Sequence, residues 1–117
     1  MKHIMRLNNG PFESVKNGTK TIELRLNDEK RSLINENDII EFENRTTGEK
    51  IEVKVLKLHR YDSFEELYKH FDKVSLGYNP DEEAHSTDME EYYSKEEQSQ
   101  YGVVGIEIKL LEGNNKI

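Results

Sequence analysis

The stretch over residues 38–59 constrains the fold more than any other. Residues 50–59 alternate, with Ile51, Val53 and Val55 on one side and Glu52, Lys54 and Leu56 on the other. That is the period of a strand with one covered face. Residues 38–43 read as a second strand. Between them Asn44-Arg45-Thr46-Thr47-Gly48-Glu49 holds the glycine that a hairpin loop needs. A chain of 117 residues, 33% hydrophobic and 35% charged, has material for one modest core. Everything else must therefore be arranged around a small sheet that begins with this hairpin.

The remaining segments supply partners for it. Residues 3–8 read as a first strand, closed by the turn signal Asn9-Gly10-Pro11. A short helix is expected over 12–17, packed through Phe12 and Val15, with Asn17-Gly18 ending it. A strand then runs to Leu26, with Ile22, Leu24 and Leu26 on one face and Thr21, Glu23 and Arg25 on the other. Residues 27–37 are polar, with Leu33 and Ile34 tucked in. Ser63 with Glu66 predicts a capped helix that packs through Phe64, Leu67, Tyr68, Phe71 and Val74 and breaks at Gly77-Tyr78-Asn79-Pro80. A polar helix over 86–98 and a last strand over 102–111 complete the order. Ile22, Leu24, Val53, Val55, Phe64, Leu67, Phe71, Val104 and Ile106 are expected to form one core. The fold class is α+β, a small, partly closed β-barrel decorated by two or three helices. Residues 1–111 are expected to be one domain and residues 112–117 a frayed tail.

Charge narrows the functional classes. The net charge is −7, and the eight acids against Lys95 between Asp81 and Glu97 account for all of it. Residues 1–31 instead carry seven bases against four acids. A generic nucleic-acid binder is basic overall, so phosphate contacts here must be local, and a small nucleotide or short single strand fits better than a long duplex. Absence of cysteine excludes disulfides, thiolate metal sites and a cysteine nucleophile. No apolar run approaches the ~20 residues that span a bilayer, and the N-terminus lacks a signal-peptide core. We expect a cytoplasmic protein without a membrane partner. His3, His59, His70 and His85 show no metal-ligand spacing, so no metal and no cofactor is expected.

Chemistry concentrates in Gly18-x-Lys20-x-x-Glu23-x-Arg25, where an ammonium, a carboxylate and a guanidinium share one strand face. Lys20 and Arg25 can bind an anion, and Glu23 can accept from an amino group of a base. Six tyrosines and no tryptophan offer stacking surfaces for unpaired bases, Tyr78 in its Gly-Tyr-Asn-Pro loop above all. The expected cleft lies between the 20–25 strand and the loop over 75–83, with Lys30 and Arg31 at its rim. Lys20, Thr21, Glu23, Arg25, Lys30, Arg31 and Tyr78 are the candidate ligand-binding residues.

The motif resembles the signature of the ASCH domain family. Glu91-Tyr92-Tyr93 and Tyr101-Gly102-Val103-Val104-Gly105-Ile106-Glu107-Ile108 resemble the closing segment of small bacterial members. The resemblance implies a PUA-like β-barrel that binds RNA or a small nucleotide or nucleoside beside the motif strand. One branch of the family removes the acetyl group of N4-acetylcytidine with a lysine, a threonine and a distant glutamate. Lys20 matches the lysine, Glu23 stands where the threonine would be, and Glu82 or Glu83 is the candidate glutamate. If the chain is an amidohydrolase, Lys20, Glu23 and Glu83 are therefore its catalytic candidates. A third reading is a protein-interaction module that uses the acidic helix.

Overall fold

The structure is a computed structural model and describes residues 1–111; the tail expected over 112–117 lies outside the described residues. Five strands form one sheet in the order β1-β3-β4-β5-β2. β1 (Lys2–Leu7) runs parallel to β3 (Ile39–Asn44), and every other pairing is antiparallel. The β3–β4 hairpin forms as its sequence predicts, with β4 spanning Lys50–Tyr61. β4 also pairs along β5 (Val103–Leu110), and β2 (Ile22–Leu26) pairs outside β5. β1 and β2 are therefore the two edges of a curled half-barrel. The α+β, PUA-like architecture is the one expected from the sequence.

A bulge gives β4 its length and bend. The register with β5 slips between Val55 and Lys57, and Leu56, the extra residue, is exposed. A bulge bends its strand and reverses the facing of the residues after it. The simple alternation read for 50–59 therefore stops at Leu56, and Leu58 returns to the apolar side opposite Ile106.

The core is two clusters rather than one, because the sheet is covered on both faces. Val53, Val55, Val104 and Ile106 pack with Phe12, Ile40 and Phe42 on the face that α1 (Asn9–Lys16) covers. Ile22, Leu24, Phe64, Leu67, Leu76 and Val103 pack on the other side. Phe71, expected in the core, is only partly buried and lies edge-on to His59 at 4.9 Å. A Cβ on Gly105 would stand 3.0 Å from Ile22 and 3.3 Å from Leu67. Glycine is what lets the second cluster close onto β5.

The helices depart from expectation in ways that local hydrogen bonding explains. α1 starts at Asn9, earlier than predicted, because Pro11 sits in a first turn that needs no bonded N–H. α2 (Phe64–Tyr68) has only five residues where a helix to Val74 was predicted. Ser63 Oγ caps it by accepting from the Glu66 N–H, but the Lys69 and His70 N–H groups turn to acceptors three residues back, and the helix tightens and ends. The polar helix over 86–98 is two elements: a 3-10 turn over Ser86–Glu91 and α3 (Lys95–Tyr101). Ser94 and Glu97 form a capping box that starts α3 afresh. Ile34 is buried as predicted, whereas Leu33 is exposed.

Leu67 is fully buried under this second cluster. Leu67→Ala should lower unfolding free energy by about 2–5 kcal/mol, measured by urea denaturation. A loss below about 0.5 kcal/mol would mean that the cluster does not hold α2 to the sheet.

Candidate functional site

β2 carries the predicted motif, and its two faces have opposite characters. Ile22, Leu24 and Leu26 enter the second cluster. Glu23 and Arg25 lie opposite Ile106 and Val104, on the face of the first cluster. Glu23 is only 3% exposed, so this is not the solvent-facing ion pair of an ordinary half-buried strand. Its Oε1 accepts from Lys20 Nζ at 3.0 Å and its Oε2 from Arg25 Nε at 2.8 Å. Burial would push the Glu23 carboxyl up, but the two cations outweigh it and hold the carboxyl below its ordinary value. Burial likewise opposes the charge on Arg25, and the Glu23 carboxylate, with Tyr93, overcomes that effect.

Arg25 has a second task. Its Nη2 donates to the carbonyl oxygen of Arg6 at 3.0 Å. Arg6 is in β1 and Arg25 in β2, the two edge strands. One guanidinium thus spans the seam where the half-barrel would otherwise gape.

The start of β2 is clamped from the far side. Thr21 and Ile22 both donate their N–H to the carbonyl oxygen of Ser75, and Lys20 N–H donates to the carbonyl oxygen of Ser14. Gly77, at φ +111°, lies against the Lys20 stem. A Cβ there would stand 3.1 Å from Lys20 Cδ and 3.6 Å from Nζ. Gly77 therefore leaves the space through which Lys20 reaches Glu23.

A cleft of about 650 Å³ opens at this seam, within the range of small-molecule sites. Lys20, Glu23 and Arg25 line it. Arg6 and Arg45 line it from β1 and the β3–β4 hairpin, and Tyr68, Tyr78, Tyr92 and Tyr93 from α2 and the segment after it. Glu82, Asp88 and Glu91 add carboxylates from that same segment. The Tyr78 hydroxyl donates to Asp88 Oδ2 at 2.7 Å and meets the Tyr68 hydroxyl at 2.9 Å. Burial, then these partners, push the Tyr78 hydroxyl well above its ordinary pKa. Burial also raises those of Tyr68 and Tyr93. These tyrosines are neutral at pH 7 and can offer ring faces and edges.

Four predicted residues stand off the cleft. Thr21, Lys30, Arg31 and Glu83 are not among its lining. Thr21, Lys30 and Glu83 are exposed, and Arg31 folds back to Asp28, its Nη1 donating at 3.3 Å. Glu82, rather than Glu83, faces the cleft, and its Oε1 accepts from the Asn79 N–H at 2.7 Å. Tyr92 stood among the six tyrosines of the sequence reading; Arg6 and Arg45 escaped it. Nothing local marks them, because the curl of the sheet is what brings β1 and the hairpin to the motif. Among the described residues, no group of three or more His, Asp or Glu could hold a metal ion, and no helix is long and apolar enough to cross a membrane.

The chain matches the ASCH domain over residues 5–112. No curated protein matches it. It is similar to the crystal structure of hypothetical protein PH0355, with 35% identity and a TM-score of 0.77 over 95% of this chain and 100% of that one. It is also similar to the solution structure of protein PF0455 from Pyrococcus furiosus, with 34% identity and a TM-score of 0.71 over 96% and 99% of the two chains.

Two outcomes check this geometry. Glu23→Ala leaves two buried cations unpaired and should cost about 3–5 kcal/mol in denaturation. The Glu23 carboxyl titrates lower in the folded chain than its ordinary value of 4.5. Its contribution is therefore complete above that pH and is lost as pH falls below it. Glu23→Gln should flatten this acid limb of stability. Asp38, held at about 2 by His3 and the Asn35 N–H, still contributes its own acid loss in that variant. Separately, Gly77→Ala should push Lys20 aside and raise the pH at which Glu23 titrates, followed by carboxyl carbon NMR. Gly48→Ala has a similar positive φ but open space around it, so it should leave the Glu23 titration unchanged.

Proposed function

This chain belongs to the ASCH domain family, and from that premise we propose that it binds a nucleotide or a short single strand of RNA in the seam cleft. One observation carries the reading. Two cations fixed on one buried carboxylate line a nucleotide-sized cleft together with four tyrosines. Glu23 spends both oxygens on Lys20 and Arg25, so it acts as their anchor rather than as the group that reads a base. The donors that remain on Lys20 and Arg25 meet acceptor atoms of the ligand, and Tyr78 with Tyr92 presents aromatic surface to a base.

The hydrolytic alternative would use the same cleft. It requires a hydroxyl where Glu23 stands, and Thr21 lies outside the lining. Binding is therefore favoured over amide hydrolysis. The interaction-module reading rested on a continuous acidic helix, and that helix is divided between Glu91 and Lys95.

Short single-stranded RNA, titrated by fluorescence anisotropy at several salt concentrations, tests the proposal. Two or three phosphate contacts predict a slope of log K on log salt near −1 to −2, at about −0.7 per phosphate. Lys20→Ala should weaken binding by about tenfold or more, as expected for loss of a charged hydrogen bond. A slope near −6 would contradict a small footprint. Release of acetate from N4-acetylcytidine by the wild type, abolished in Lys20→Ala, would replace binding by hydrolysis.

A further inference from the structure

We infer that the phosphate of the ligand sits on the β1–hairpin side of the cleft, held by Arg45 with Arg6, and not near Lys30 and Arg31. The inference rests on the nucleotide-binding reading and adds a direction to it. Lys20 and Arg25 are both inside the cleft, yet both are committed to one carboxylate within 3.0 Å. Three charges in contact leave a net single positive charge, already spread over two donors. A dianionic phosphate needs further compensation.

Arg45 supplies it. Its side chain is exposed, lines the cleft, and has no ion pair or hydrogen bond among the described residues. The backbone beneath it is firmly placed, because the Arg45 N–H donates to the Leu7 carbonyl oxygen at 2.9 Å. The head group is thus free while its root is fixed between β3 and β1. Among the described residues the Arg6 side chain forms an ion pair with Glu43 alone, at 3.2 Å, and is 69% exposed, a pairing that a bound phosphate can replace at little cost. A planar guanidinium matches two phosphate oxygens at once.

The segment after α2 disfavours the phosphate. Glu82, Asp88 and Glu91 line the cleft from the segment that also brings Tyr78, Tyr92 and Tyr93. A phosphate placed there would face like charge. A base placed there meets aromatic faces and carboxylates that can accept from its N–H groups. The cleft is therefore polar along its length: phosphate towards the arginines, base towards the tyrosines. A free nucleotide, with a dianionic monoester, and an RNA backbone, with monoanionic diesters, both present phosphate oxygens that a guanidinium can hold.

The four ribonucleosides, their 5′-monophosphates and an RNA tetramer, each titrated against wild type, Arg45→Ala, Arg6→Ala and Lys30→Ala, decide the matter. Wild type should hold monophosphates more tightly than nucleosides. Arg45→Ala should remove most of that advantage, about tenfold or more for a charged hydrogen bond, while nucleoside affinity stays the same. Arg6→Ala should act in the same direction and Lys30→Ala should change nothing. With the tetramer, Arg45→Ala should reduce the salt slope by about 0.7 if an RNA phosphate occupies the site; an unchanged slope beside lost monophosphate affinity would assign it to free nucleotides. Equal loss of nucleosides and monophosphates in Arg45→Ala, or sensitivity to Lys30 in place of Arg45, overturns the inference and leaves the binding reading intact. If no nucleoside, nucleotide or tetramer binds the wild type, both fall.

Discussion

The carboxylate of Glu23 is the group on which the site depends. An isolated carboxylate buried to this extent would be expelled or protonated, because desolvation costs several kcal/mol. Lys20 and Arg25 make its burial tolerable by donating to both oxygens. In return the carboxylate fixes two long, flexible side chains that would otherwise sample many rotamers. Such a cluster adds little to stability compared with an apolar core of the same volume. What it contributes is position, since each cation has one place to be. The Arg25 bond to the Arg6 carbonyl carries that positioning across to β1.

This explains why the half-barrel can remain open there. Edge strands expose unpaired backbone groups and are normally covered. β1 and β2 stand at the two ends of the sheet order, and among the described residues they do not pair with each other. A side chain closes part of the gap instead, and what is left is the cleft. A backbone ladder would have sealed the seam and removed the site. The tyrosine segment then lies against the start of β2 through the Thr21 and Ile22 N–H groups on the Ser75 carbonyl oxygen, and Tyr78 to Asp88 and Lys73 to the Glu82 carbonyl oxygen fold it on itself.

The strands were legible because alternation is a local signal that burial on one face enforces. The order of elements and the hairpin followed from it. The helices were less so. An apolar spacing of three and four persists from Phe64 to Val74, but the chain stops bonding as an α-helix after Tyr68, and a spacing pattern cannot register that. The Ser94-to-Glu97 capping box lies inside a long polar run, where no apolar period marks the break between the two elements. In the site, Lys20, Glu23 and Arg25 were visible as a motif, whereas the depth of Glu23 was not: period two places a side chain on a face without saying whether that face is covered. Arg45 was hidden for another reason. It lies in a turn sequence that any hairpin could carry, and only the parallel pairing of β1 with β3 sets that turn beside the motif.

The net charge of −7 and the proposed anion site are compatible because the two act over different distances. At physiological ionic strength charges are screened over about 8 Å, so a phosphate in the cleft senses mainly the arginines beside it. A long duplex senses the whole surface, including the acids between Asp81 and Glu97, and each added phosphate beyond the cleft meets repulsion. In the proposed complex the acids that line the tyrosine side work at both ranges: they repel extended polyanions from outside and orient a single phosphate within. A basic surface would have strengthened binding and lost that discrimination. Affinity confined to the cleft is what this distribution of charge favours, and it makes a short ligand the one that fits.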